Sequence, residues 1–221
     1  MQLKALLLDL DGTLVDTAPD MVATLNRILV IHDQPSVDIA LAGKLVSNGA
    51  KALIEFGFGN ALDPRNTLDL IQEFLADYAE HVCDHSAPYD GMLEVLSLCE
   101  KENMRWGIVT NKPLGLSRAL LEGLGLLDRC SILLGGDSLP VKKPDPAPLL
   151  HCCMIMSLAA SECMYVGDHE RDIRAGNAAG MDTAAAMWGY IADDDDVNAW
   201  NARYLTQTPL GLHKLIEERL A

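Results

Sequence analysis

Basic residues are scarce in this chain of 221: 17 Lys and Arg stand against 32 Asp and Glu, a formal net charge of −15. Nucleic acid and anionic membrane surfaces reward Lys and Arg, so the balance argues against both as partners. A small anionic ligand stays open, because it needs only local positive charge, which a metal ion can supply. No apolar run comes near the ~18 residues that span a bilayer. The first run, Ala5–Leu8, meets Asp9 after four residues, too soon for the core of a signal peptide. A Cys-x-x-Cys pair is also missing. Cys83, Cys99, Cys130, Cys152, Cys153 and Cys163 fall mostly inside apolar stretches, which reads as buried thiols in a reducing compartment rather than disulfides or a zinc site. A soluble, cytoplasmic chain is expected. Hydrophobic residues make up 49% and charged ones 22%, an ordinary globular composition, and the length suits one generous domain or a core carrying a smaller one.

Short apolar runs recur at 4–8, 105–109, 131–134, 163–166 and 183–187, with helical patterns at 92–102, 114–124, 146–156 and 171–179 between them. This alternation predicts an α/β fold with a Rossmann-like parallel sheet core and helices on both faces. Residues 19–82 break the rhythm. Leu68, Ile71, Leu75, Tyr78 and Val82 make one stripe at helical spacing, and Met21, Leu25, Ile28 and Leu29 make another, so a helical lobe is inserted after the first strand. The expected division is a core of residues 1–16 and 85–221 and a lobe of residues 17–84. Val15–Pro19 would lead out and Asp84–Gly91, rich in turn formers, would lead back. The acidic run Asp193–Asp196 reads as a solvated turn.

The stretch LLLDLDGTLVDT (6–17) crowds Asp9, Asp11 and Asp16 against the end of the first predicted strand. In open parallel sheets, ligands bind beyond the carboxyl ends of the strands. Four polar groups fall at or beside such ends: Asp9 with Asp11, Thr110 with Asn111, Lys143 in VKKPDP, and Asp168 with Asp172 in YVGDHERD. Carboxylates gathered in one pocket repel one another unless a cation lies among them. Oxygen donors favour Mg²⁺ over zinc, which prefers His and Cys. With Lys143 and the Thr110 hydroxyl alongside, the site would receive an anion with several oxygens, and phosphate is the obvious candidate.

The segments DLDGTLVDT, IVTNKP, KKPDP and VGDHERDIRAG, in that order and spacing, resemble the four motifs of the haloacid dehalogenase superfamily in its phosphatase branch, over essentially the whole chain. The resemblance implies a four-helix cap domain at 17–84 and Mg²⁺-dependent hydrolysis of a small phosphorylated metabolite. Asp9 would be the nucleophile that forms an aspartyl-phosphate. Asp11 would protonate the leaving oxygen and then activate water. Superfamily members that dehalogenate carbon lack an acid at that place, so Asp11 favours phosphoryl transfer. Thr110 and the Asn111 N–H would hold the phosphoryl group, and Lys143 would neutralise both it and the nucleophile. Asp9, the Asp11 carbonyl and Asp168 would hold Mg²⁺, with Asp172 acting through water or Lys143. Gly12 allows a sharp bend that the Thr13 hydroxyl can lock, and Asp16 reads as a cap of the next helix.

Within the lobe, LVSNGAKALIEFG (45–57) stands out. Ser47, Asn48 and Gly49 interrupt one helical pattern, and Lys51 falls in the first turn of the next, a combination suited to an anionic or polar group. The segment resembles the cap loop of phosphoglycolate phosphatases, which implies Asn48, Gly49 and Lys51 as substrate contacts. Trp106, WGYI (188–191) and Trp200 resemble the branch that hydrolyses N-acetylmuramic acid 6-phosphate in cell-wall recycling, although tryptophans more often pack cores than grip sugars. Two further readings share the scaffold: a β-phosphoglucomutase-type mutase and an idle binding protein, the second disfavoured by the intact acids. The assembly expected is a monomer or homodimer.

Overall fold

The computed structural model describes residues 3–220; residues 1, 2 and 221, at the outer ends of the expected core segments, lie outside the described residues. Strand β1 (Ala5–Leu8) reads Ala-Leu-Leu-Leu, and every one of its residues is buried. The pleat sends Leu6 and Leu8 into one apolar cluster and Ala5 and Leu7 into another. A strand buried on both faces needs an unbroken apolar run, which explains why no alternation shows in the sequence.

The chain then forms β2 (Val15–Asp16) and a helical stretch: α1 (Ala18–Ile31), α2 (Ile39–Ala42), a 3₁₀ segment (Gly43–Asn48), α3 (Gly49–Phe58) and α4 (Thr67–Glu80). It returns through β3 (Ala87–Pro88) to α5 (Met92–Lys101), β4 (Arg105–Val109), α6 (Leu114–Gly123) and β5 (Leu133–Leu134). There follow α7 (Ala147–Met156), β6 (Cys163–Gly167), α8 (Glu170–Ala179), β7 (Asp182–Ala186), β8 (Tyr204–Thr206) and α9 (Pro209–Leu220). One parallel sheet runs in the order β5-β4-β1-β6-β7-β8. Helices α5, α6 and α9 cover the Leu6 and Leu8 face, and α7 and α8 cover the other. This is the predicted α/β architecture with helices on both faces. Because the chain leaves β1 toward β4 and later returns to β6 on its other side, the strand order switches at β1, where such sheets open a crevice.

Four elements went unread in the sequence. Strand β8 is short and half exposed, and α9 follows it. The expected linkers contain β2 and β3, which pair antiparallel with Val15 opposite Pro88; two-residue strands carry no periodicity to detect. Asp20, buried in the first turn of α1, accepts from the His85 N–H at 2.9 Å and from the Ser86 N–H and hydroxyl at 2.8 and 2.6 Å. A single carboxylate thus clamps the outgoing crossing to the returning one.

Leu25, Leu29, Leu53, Phe74 and Tyr78 of the helical stretch pack into the same cluster as Leu10, Leu14 and the Leu8 face of β1. All six cysteines are free, as expected. Among the described residues no helix is long and apolar enough to cross a membrane.

Candidate active site

Strands β1, β4 and β6 lie side by side, and the residue after each is polar: Asp9, Thr110 and Asp168. Asp9 Oδ1 accepts from the Leu10 N–H at 2.8 Å and pairs with Lys143 Nζ at 2.8 Å. Among the described residues no hydrogen bond reaches Asp9 Oδ2, which leaves that oxygen for a ligand. Lys143 also pairs with Asp172 Oδ1 at 2.7 Å and donates to the Tyr165 hydroxyl at 2.8 Å; that hydroxyl donates to the Val109 carbonyl at 2.7 Å. Burial pushes the Lys143 ammonium down, but Asp172 and Asp9 outweigh it and hold it above its ordinary value.

Asp168 accepts from the Thr13 hydroxyl at 2.8 Å, the Ser47 hydroxyl at 2.9 Å and the Tyr190 N–H at 3.0 Å. Thr13 therefore holds a carboxylate across the crevice rather than locking its own turn. Asp9, Asp168 and Asp172 each offer an oxygen within 4.8 Å of the others. Among the described residues Lys143 pairs with Asp9 and Asp172 and no Lys or Arg pairs with Asp168. Burial, aided by the neighbouring carboxylates, pushes Asp168 up to about 7; burial likewise pushes Asp9 up to about 6, although Lys143 pulls it back. Acids that resist ionisation alone, with oxygen donors and neither His nor Cys among them, suit a hard divalent cation. Gly12 allows the close approach. Its φ is +81°, and a Cβ there would lie 2.2 Å from Asp168 Oδ2, so both conformation and space demand glycine.

Asp11 occupies a different setting. Its Oδ1 pairs with Lys112 Nζ at 2.8 Å and accepts from the Thr17 hydroxyl at 2.7 Å. Its carboxylate is not one of the three grouped acids. The N-cap of α1 is Thr17, not Asp16 as expected; Asp16, one residue earlier, accepts from the Ala18 N–H at 3.2 Å and from the Tyr190 hydroxyl at 2.6 Å.

A cavity of about 290 Å³ lies between the sheet edge and the helical stretch. Asp9, Asp11, Thr110 and Asn111 line it from the sheet, and Asn48, Gly49 and Lys51 line it from the lobe. Lys143, Asp168 and Asp172 join this group through Asp9 rather than through the cavity wall. Lys51 sits in the first turn of α3 and is mostly exposed, 3.6 Å from Glu55. Met21, Phe74, Leu75 and Leu116 give the cavity an apolar side.

Sequence reasoning missed Lys112, Lys142 and Arg171, which also line the cavity. Lys112 and Arg171 stand inside the motif segments IVTNKP and VGDHERDIRAG, which was the available signal. Arg171 donates to the Ser47 carbonyl and to Asn48 Oδ1, both at 2.6 Å, and so ties the start of α8 to the lobe. The run 193–196 is exposed, and Asp193 pairs with Lys44 of the lobe. Trp106 and Trp200 are buried, and Trp188 donates to the Thr13 carbonyl at 3.0 Å; none of the three lines the cavity.

A parallel sheet with clustered acids at its carboxyl edge, facing a stretch of helices, defines an α/β protein with a site able to hold a metal. The chain belongs to the haloacid dehalogenase-like hydrolase family, whose profile matches residues 6–186. It is 40% identical to N-acetylmuramic acid 6-phosphate phosphatase of Pseudomonas aeruginosa over 100% of this chain and 97% of the relative. To phosphoglycolate phosphatase of Xanthomonas campestris it is 43% identical, over 93% of each. The crystal structure of a predicted phosphoglycolate phosphatase from Haemophilus somnus superimposes with a TM-score of 0.87 at 26% identity, covering 97% of this chain and 98% of the other.

Proposed function

We propose that this chain is a Mg²⁺-dependent phosphatase that hydrolyses a small organic phosphate monoester through an aspartyl-phosphate. The observation that carries this reading is the tethering of Asp9 through Oδ1 alone, in a residue that lines one cavity with Asp11 and Thr110. In the first step Asp9 Oδ2 attacks phosphorus, the P–O ester bond breaks, and Asp11 gives a proton to the departing alkoxide. In the second, water attacks the aspartyl-phosphate, Asp11 takes its proton, and inorganic phosphate and free Asp9 result. Lys143 balances the charge of nucleophile and phosphoryl group, and Thr110 with the Asn111 N–H holds a phosphoryl oxygen. Asp9, Asp168 and the Asp11 carbonyl, with Asp172 behind, would hold Mg²⁺, which when bound would supply electrostatic stabilisation of the phosphoryl charge.

Residues 17–84 act as the cap that closes over the site, on a core of residues 1–16 and 85–221, and a cytoplasmic metabolite is the natural substrate. Closure excludes water and lets the cap select the ester. The start of α3 with Asn48, Gly49 and Lys51 suits a carboxylate beyond the phosphate, which favours phosphoglycolate or a close analogue. The apolar side of the cavity favours a second reading, a bulkier phosphosugar acid such as N-acetylmuramic acid 6-phosphate. A panel of phosphate esters containing both, assayed with and without Mg²⁺ and ranked by kcat/KM, tests the proposal. Release of free phosphate only with the divalent ion is expected. Transfer of phosphate to another hydroxyl would indicate a mutase, and no turnover of any ester would overturn the reading.

A further inference from the structure

Asp11 is set for its task by a chain of contacts that begins in the lobe. Tyr78, on α4, is buried and stacks on Phe74 with ring centroids 6.1 Å apart. Its hydroxyl accepts from Lys112 Nζ at 3.0 Å, and the same nitrogen stands 4.5 Å from the centroid of its ring. Lys112 in turn pairs with Asp11 Oδ1 at 2.8 Å. Thr17 also bonds that oxygen, and among the described residues no hydrogen bond reaches Oδ2. With Oδ1 tied twice, the rotation of the carboxylate is fixed and Oδ2 is the atom left for a leaving group in the cavity that Asp11 lines.

We propose that Tyr78 is a positioning residue for this reaction: its hydroxyl fixes the Lys112 ammonium, and Lys112 fixes Asp11 for proton transfer, so protonation of the leaving group requires α4 to be seated. The inference rests on Asp11 being the general acid of the proposed phosphatase. An ammonium held by one carboxylate pivots about that contact; a second acceptor from another element removes the pivot, and deleting the acceptor leaves a buried donor unpaired. Burial raises the Tyr78 phenol to about 12, against the pull of Lys112, so it stays protonated at neutral pH and serves as a neutral acceptor.

Leaving-group dependence provides the test, because an aryl ester such as p-nitrophenyl phosphate departs without help whereas an alkyl ester needs the acid. Tyr78→Phe keeps the ring against Phe74 and removes only the hydroxyl. Its kcat/KM on an alkyl phosphate is expected to fall about tenfold, part of the roughly 10²–10⁴ that a general acid supplies, while p-nitrophenyl phosphate changes less than about twofold. Equal losses on the two esters, or no loss on either, would overturn the inference and leave the proposed function intact. A parent chain that hydrolyses neither ester in Mg²⁺ would overturn both. Lys112→Met supplies a second arm: it should show the same selective loss, and adding Tyr78→Phe to it should cost less than about twofold more. A further full loss in that double variant would mean that Tyr78 does not act through Lys112.

Discussion

Two buried lysines stand at this site, and they differ in where their partners come from. Lys143 is held by Asp9, Asp172 and Tyr165, all supplied by the sheet and α8. Lys112 is held by Asp11 beside β1 and by Tyr78 of the lobe. Although Asp168 of the same cluster accepts from Ser47 of the lobe, the partners of the first lysine all belong to the core, so its hold on the proposed nucleophile does not depend on where the lobe sits. The second bridges core and lobe, so the setting of the proposed acid does. Under the proposed function, closure of the helical stretch over substrate would complete the acid through Tyr78 while Lys143 keeps its core partners.

Removing Asp9 strikes the core side hardest. Asp9→Asn is expected to abolish turnover, by more than about 10⁴-fold if it acts as nucleophile, while the fold survives because Lys143 retains Asp172 and the acid cluster loses one repelling charge. Phosphate release and a melting curve check the two halves of that statement. An Asn variant that simply unfolds would contradict it.

Next in size is the contrast between the lysines themselves. Lys143→Met strands two carboxylates, one of them fully buried, and should destabilise the chain by about 3–5 kcal/mol as well as lowering kcat by roughly 10²–10³. Lys112→Met strands one partly hydrated carboxylate that keeps Thr17, so its stability loss should be nearer 1–3 kcal/mol. Urea denaturation of both variants decides it. If Lys112→Met proved the more destabilising, the lobe contact would be the structural keystone and the comparison would invert.

How much of this was legible beforehand follows the same division. Asp9, Asp11, Thr110 and Asp168 stand in short contiguous segments at predicted strand ends, so strand placement brought them together, whereas Lys143, in the loop between β5 and α7, was legible from the KKPDP motif. Asn48, Gly49 and Lys51 were legible from a break in helical spacing. Lys112 stood in view inside IVTNKP, but its meaning depends on Tyr78, which reads locally as one more member of an apolar helical stripe. Only the docking of α4 reveals the hydroxyl at its tip. Arg171 was hidden for the same reason, since its partners Ser47 and Asn48 lie on the lobe. Strand β8 and the β2–β3 pair escaped because two or three residues carry no period. What the sequence hid, then, was chiefly the contact between lobe and core.

The smallest expected effect concerns the metal-free acid cluster and separates its electrostatics from any contribution of the lobe. Asp9 and Asp168 are raised from 3.8 to about 6 and about 7, so between these values and 3.8 the folded chain holds protons that the unfolded chain has released. Their contribution to stability is therefore full below about pH 4 and is lost as pH rises through 6 to 7. A divalent ion favours the ionised carboxylates and should reverse the trend. Melting temperature measured in EDTA should fall across that window relative to Asp168→Asn, and Mg²⁺ should restore several degrees at pH 7.5 but almost nothing at pH 4.5. Tyr78→Phe, which leaves the cluster untouched, should follow the parent curve. A Mg²⁺ shift equal at both pH values, or one that persists in Asp168→Asn, would mean that the ion binds elsewhere.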